Sequence, residues 1–206
     1  MKNLEIVLAT RNKDKIKEIK KILKSIPIKI LTLSNFKRFP NVKEKGKTIE
    51  QNAIKKAKII SKFTNKITLA DDTGLEVVYL NRKPGVYSSR FAGSGCSYDD
   101  NNQKLLNLLS GIHMIKRKAV FRTVMALAKP DGKVKYVEGK CFGRISEKKL
   151  GKNGFGYDPV FIPKGFRKTF AQMKPSTKNR ISHRAKALVK SKKLLKCFLS
   201  GCSAVG

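Results

Sequence analysis

Asp71 and Asp72 stand side by side in a chain that has only 14 Asp+Glu against 47 Lys+Arg. They follow the apolar run Ile67-Thr68-Leu69-Ala70, which reads as a buried strand, and they precede Thr73-Gly74-Leu75. Neighbouring carboxylates repel, and burying them is costly unless positive charge lies between them. A hard divalent cation meets that need, since Mg²⁺ takes one or two carboxylates and fills its other positions with water and phosphate oxygens. The same residues also suit a solvated strand end, because Asp close to Gly belongs to ordinary turn chemistry. The pair alone leaves both readings open.

Three further segments carry chemically suggestive residues. Thr10-Arg11-Asn12-Lys13-Asp14-Lys15 lies between a first strand and a first helix. There, backbone N–H groups and the helix dipole favour an anion, while Thr10 and Asn12 add neutral donors and Lys13 and Lys15 add charge. It is not a Walker A loop, because the glycines and the Gly-Lys-Ser/Thr ending are missing. In Gly154-Phe155-Gly156-Tyr157-Asp158-Pro159, two glycines allow close backbone approach, two aromatic rings offer stacking surface, and Asp158 can accept hydrogen bonds. The segment also reads as an aromatic-rich turn before a strand. In Lys178-Asn179-Arg180-Ile181-Ser182-His183-Arg184, Ser182 is placed to cap the last helix. His183 and Arg184 then fall in the first turn, where helices normally carry acids; an anion or a carbonyl at that end would account for the reversal. Asp72-Thr73-Gly74 matches the aspartic-protease triplet as well, but that reading requires two triplets or a symmetric dimer of short β-rich chains, and the helical segments argue against it.

The elements that must position these residues are legible from periodicity. Strands are expected over about 4–10, 28–33 and up to Asp72, with Leu75 to Leu80 as the hairpin partner of the last of these. Helices are expected from the Ile16, Ile19, Ile22, Leu23, Ile26 stripe, over 48–62, over 99–110 and from about Ser182 to Phe198. Ala119–Ala128 and Val134–Arg144, joined by Lys-Pro-Asp-Gly-Lys, form the strongest antiparallel hairpin signal. The expected fold is α/β (α+β), one unit of 206 residues built on a mixed sheet, with the central hairpin contributing to a second lobe.

Composition narrows the functional classes. No apolar stretch approaches the length of a membrane helix, and the N-terminal apolar run is too short for a signal peptide and is broken by Glu5; a cytoplasmic protein is expected. Cys96, Cys141, Cys197 and Cys202 lack the spacing of a zinc site or a disulfide framework and read as reduced thiols. The formal charge of +33 invites a nucleic-acid reading. The lysines are spread along the chain, however, and their abundance beside Asn and Ile fits A/T-rich coding, so no specific nucleic-acid binding is expected. Such a field still draws in polyanions, including nucleoside triphosphates.

Taken in order, Ala9 to Lys15, Ala70-Asp71-Asp72-Thr73-Gly74-Leu75, Pro84-Gly85-Val86-Tyr87-Ser88-Ser89-Arg90-Phe91-Ala92-Gly93, Gly154 to Pro159 and Ile181-Ser182-His183-Arg184 resemble the Ham1/inosine triphosphate pyrophosphatase family, non-standard purine nucleoside triphosphate diphosphatases of the dITP/XTP type. The likeness runs from Val7 to about Leu188. It implies hydrolysis between the α- and β-phosphates of dITP, ITP or XTP, giving a nucleoside monophosphate and pyrophosphate, with one Mg²⁺ per subunit. It implies an elongated two-lobed fold around a central cleft, the sheet flanked by helices, and a homodimer. By position, Asp72 is the general base and a metal ligand, with Glu44 and Asp71 the other metal-site carboxylates. Thr10, Arg11, Asn12, Lys13, Asp14, Lys15 and Thr73 hold the triphosphate; Phe155, Gly156, Tyr157, Asp158, Lys178, His183 and Arg184 hold the base. Two positions depart from the family pattern: Gln51 stands where Glu is frequent, and Arg11 where glycine is frequent. The rival readings are a basic RNA- or DNA-binding module and a Maf-type nucleotide diphosphatase acting on other bases.

Overall fold

The computed structural model describes residues 4–200, the last four by backbone alone. Cys197 and Cys202 therefore lie outside the described side chains; Cys96 and Cys141 are free thiols. The fold is mixed α/β. Its seven-stranded sheet runs in the order β2-β1-β3-β5-β6-β7, with β4 paired to β3. The strands are β1 (Leu4–Leu8), β2 (Ile28–Leu31), β3 (Ile67–Val77), β4 (Pro84–Gly85), β5 (Lys118–Ala128), β6 (Val134–Ile145) and β7 (Phe161–Pro163). The helices are α1 (Lys13–Leu23), α2 (Ile49–Thr64), α3 (Tyr98–Leu108), α4 (Pro175–Ile181) and α5 (His183–Ser200).

The chain divides into two compact units: Met1–Asp72, Thr123–Gly139 and Ala185–Gly206 form the first, Thr73–Arg122 and Lys140–Arg184 the second. In the first unit β1 pairs in parallel with both β2 and β3. Parallel neighbours are covered on both faces, which is why these strands read as near-continuous apolar runs. The core joins Ile6, Leu8 and Leu69 of the strands to Ile19 and Leu23 of α1 and Leu188 of α5. Helix α1 begins where the Asn12 side chain accepts from the N–H groups of Asp14 and Lys15, and α2 where Thr48 accepts from Gln51 N–H. In the second unit Leu75, Leu105, Phe121, Phe161 and Phe170 form the core, with Phe121 and Phe161 rings 4.7 Å apart.

Two expectations need correction. β3 does not end at Asp72, and residues 75–80 are not its hairpin partner: the strand runs unbroken to Val77 and pairs antiparallel with the two-residue β4. Leu75 and Val77 are fully buried, so the apolar demand that builds the strand resumes beyond the polar Asp-Asp-Thr-Gly segment and keeps the backbone extended. The second is α4, which escapes periodicity because it is only seven residues long; Pro175 sits in its first turn, and the extended backbone of Ser182 separates it from α5.

Candidate functional site

The first unit gathers its acids around two ammonium groups. Asp71, with its side chain fully buried, meets Lys15 Nζ at 2.8 Å. Lys15 stands in the first turn of α1, and the pair ties that turn to β3. Glu44 lies in the irregular segment between β2 and α2 and is ion-paired with Lys56 of α2. Burial works against the Lys56 charge, but the fields of Asp71, Glu44 and Asp72 outweigh it and hold its pKa above the usual lysine value.

Asp72 is 8 % exposed. Burial pushes its carboxyl up to about 6; Lys56 pulls the other way, Glu44 adds to the rise, and Lys15 and Asn52 oppose it. A carboxyl at that position can take a proton near neutral pH, which an ordinary aspartate does poorly.

The Glu44 segment is fastened to α2. Asn52 Oδ1 accepts from Gly46 N–H at 2.8 Å, and Gln51 Oε1 accepts from Lys47 N–H at 2.8 Å. A Cβ at Gly46 would fall 2.6 Å from Asn52 Oδ1, so only glycine allows this approach. Gln51, one of the two departures from the family pattern, thus anchors the backbone three residues from Glu44.

At the start of α1, Thr10 Oγ1 accepts from Asn12 N–H at 3.2 Å, so Thr10 and Asn12 both shape the turn into the helix. Arg11, Lys13 and Asp14 are exposed; Asp14 complements the dipole from the first turn.

The remaining expected residues belong to the second unit. Asp158 and Lys178, 2 % and 6 % exposed, form a buried ion pair of 2.6 Å. Asp158 also accepts from Phe155 N–H at 2.8 Å, closing the Gly154–Asp158 segment on itself. Gly154 has φ +79°, and a Cβ there would collide with the Asp158 carboxylate. Phe155 keeps exposed surface and carries two cations over its ring, Lys178 Nζ at 4.9 Å and Arg184 Cζ at 5.2 Å from the centroid. Arg184 also reaches Thr73 Oγ1 at 3.4 Å. His183 is buried and stacks on Phe121, ring centroids 4.3 Å apart.

Tyr157 differs from its expected stacking role. Its ring is 5 % exposed and belongs to the core, its hydroxyl donates to Ser88 O at 2.9 Å, and burial pushes that hydroxyl's pKa well above the usual tyrosine value. Of the two aromatic side chains in the segment, Phe155 is the one that retains surface for a flat ligand.

Sequence reasoning missed Lys56, although a signal was present. It sits on the Asn52, Lys56, Ile60 face of α2, where the neighbours at four-residue spacing are buried, and a lysine on such a stripe needs an acidic partner. It also passed over Tyr98, whose ring lies 6.0 Å from that of Phe155.

Comparison with known proteins identifies the family. The Ham1 family model matches residues 6–194. The chain belongs to the Ham1 family. It is 46 % identical over 189 residues to a dITP/XTP pyrophosphatase of Thermoanaerobacter pseudethanolicus, covering 92 % of this chain and 95 % of that one. A protein of the same name from Elusimicrobium minutum is 48 % identical over 197 residues, covering 94 % of this chain and all of its own. The solved structure of a Ham1 protein from Coxiella burnetii superposes with a TM-score of 0.86 at 38 % identity, covering 94 % and 98 % of the two chains. The carboxylate pair on β3, the helix-start turn before α1 and the Phe155–Asp158 segment all fall inside the matched Ham1 region.

Among the described residues, no three His, Cys, Asp or Glu side chains converge as a preformed cation cage. The donor set nonetheless fits a hard cation that leaves positions for phosphate oxygens. Asp71 is held by Lys15 and Glu44 by Lys56, while Asp72 feels Glu44 and both lysines, so the three ionised acids leave net negative charge that a cation would offset. No described helix is long and apolar enough to cross a membrane.

Proposed function

We propose that this Ham1 protein hydrolyses non-standard purine nucleoside triphosphates (dITP, ITP and XTP) to the nucleoside monophosphate and pyrophosphate, with Mg²⁺, in the cytoplasm. The names of relatives at 46 % and 48 % identity support the substrate class. The observation that carries the chemistry is the buried Asp72, raised to about 6 among Lys56, Glu44 and Lys15.

In this reading the two units act as one enzyme domain on one nucleotide, the polyphosphate held by residues of the first and the base by residues of the second. Asp72 accepts a proton from water as the water oxygen bonds to the α-phosphorus; the bond from that phosphorus to the bridging oxygen breaks, and pyrophosphate leaves. Lys15 and Lys13, with Arg11 and the amides of the Thr10–Lys15 turn, stabilise charge on the departing phosphates. Thr73, oriented by Arg184, adds a hydroxyl contact. Asp72 and Glu44, together with the Lys15-bound Asp71, would hold Mg²⁺, one ion per subunit, which would supply charge neutralisation and orient the water.

Discrimination against adenine follows from donors. Hypoxanthine and xanthine carry a 6-oxo acceptor, whereas adenine carries an amino donor. Lys178 and Arg184, both over the Phe155 ring, present donors that an oxo group satisfies and an amino group does not.

A homodimer completes the reading. Val78, Ile115 and Phe142, 62 %, 69 % and 59 % exposed, line one hollow of about 1380 Å³ on the second unit, apolar side chains set among lysines and arginines that a second copy would cover. Ile115→Lys should convert the dimer to a monomer in light scattering, and an unchanged mass would remove this face from consideration. The activity is tested by pyrophosphate release from dITP, ITP, XTP, dUTP and the standard nucleotides. Turnover confined to the 6-oxopurine substrates other than guanine supports the proposal; preference for dUTP points to Maf-type chemistry instead.

A further inference from the structure

Helix α3 carries two adjacent buried asparagines that do different work. Asn101 is fully employed in its own loop: Oδ1 accepts from Ala92 N–H at 2.8 Å, and Nδ2 donates to Ser97 O at 3.1 Å and Ser89 O at 3.4 Å. Asn102, 2 % exposed and one helical turn before the fully buried Leu105, makes a single hydrogen bond, from Nδ2 to Gly156 O at 2.9 Å. Its Oδ1 is buried and has no hydrogen-bond partner among the described residues. Rotating the amide by half a turn would face oxygen to oxygen, so the bond to Gly156 fixes its orientation.

This is a poor bargain for folding. Asn is a weak helix former, and a buried acceptor left unsatisfied costs about as much as the one hydrogen bond returns. An apolar side chain would suit the same position beside Leu105 and Leu109 better. The bond does accomplish one thing, which is to set a peptide plane. Gly156–Tyr157 is trans, the one cis bond among the described residues being Lys83–Pro84. With the Gly156 carbonyl held toward α3, the Tyr157 N–H is turned to the opposite side. Asp158 ties the ends of the segment through Phe155 N–H and Lys178. In the middle, Tyr157 is anchored by its ring in the core and its hydroxyl on Ser88 O, and the Gly156 carbonyl is held by Asn102. Another polar tie from α3, Lys149 to Asp99, is largely exposed and contributes little.

We propose that Asn102 is a positioning residue for nucleobase recognition: it touches no substrate, but orients the Gly156–Tyr157 peptide and so fixes the direction from which Phe155 and the segment's amides meet the base. The inference rests on the function proposed above and adds a residue to its base-binding half. The test uses the full-length protein with Asn102→Ala and the isosteric Asn102→Asp, which keeps the shape and, when ionised, loses the donor. At pH 8 both should raise KM for dITP about tenfold, the size expected for one buried hydrogen bond, with kcat within about twofold. The preference for dITP over dATP should fall in parallel, and Asn102→Ala should retain the wild-type urea midpoint within error. Hydrogen–deuterium exchange supplies a readout that needs no substrate: amides of 154–158 should exchange faster in both variants while α3 stays protected. Unchanged exchange in that segment overturns the proposal, as does an unchanged KM, or a loss of kcat and stability together. Wild-type protein inactive on dITP would defeat the proposed function instead, with the exchange experiment still deciding whether Asn102 holds the segment.

Discussion

Replacing Asp72 with Asn should make the metal-free protein more stable at neutral pH while removing its activity. The carboxyl is 8 % exposed, and its pKa stands at about 6 against 3.8 for an unburied aspartate. A rise of that size corresponds to about 3 kcal/mol. The direction follows from the proton count. Below the unfolded value both states hold the proton and the group contributes nothing. As pH rises from 3.8 toward 6 the unfolded chain ionises first, so stability is lost, and above 6 the full cost is present. Asn resembles the protonated acid at every pH. Urea unfolding of both proteins in EDTA between pH 4 and 8 should therefore give similar midpoints at the acid end. The two should diverge through pH 6, with Asp72→Asn ahead by up to about 3 kcal/mol at pH 8. Parallel curves, or a variant less stable at pH 8, would refute the idea that burial holds this carboxyl in an unfavourable ionised state.

Two further outcomes follow from the same geometry. Lys56→Met removes the cation that most lowers Asp72, so the acid limb of the pH–rate profile should move to higher pH and kcat/KM at pH 7 should drop about tenfold or more; an unmoved limb would mean Lys56 does not act through Asp72. Asp158→Ala takes the carboxylate from a lysine that is itself 6 % exposed, and should cost about 3–5 kcal/mol in denaturant unfolding, a loss below 1 kcal/mol arguing against a tight buried pair.

Much of the site was legible because acids are rare in this chain. With 14 Asp+Glu available, an adjacent pair after an apolar run stands out, and Asp158 does so for the same reason, whereas Glu44 came only through the family resemblance. Lys56 was hidden by the opposite circumstance: among 47 Lys+Arg, one lysine on a helix looks like surface until its place on the buried stripe of α2 is counted. Strand β3 was cut short because Asp-Asp-Thr-Gly carries turn residues, whereas burial on both sides of that segment keeps it extended. Tyr157 looked like Phe155 because the two share a motif, and alternation along six residues cannot say which ring enters the core. Asn102 carried no signal at all, since its single bond spans 54 residues of sequence.

Pyrophosphate release from dITP with Mg²⁺, for wild-type protein and Asp72→Asn side by side, decides whether Asp72 is the general base. Wild-type turnover of dITP should be robust and abolished by EDTA, dATP should turn over weakly, and Asp72→Asn should lose dITP hydrolysis while remaining folded. Sustained dITP turnover by Asp72→Asn would contradict that role.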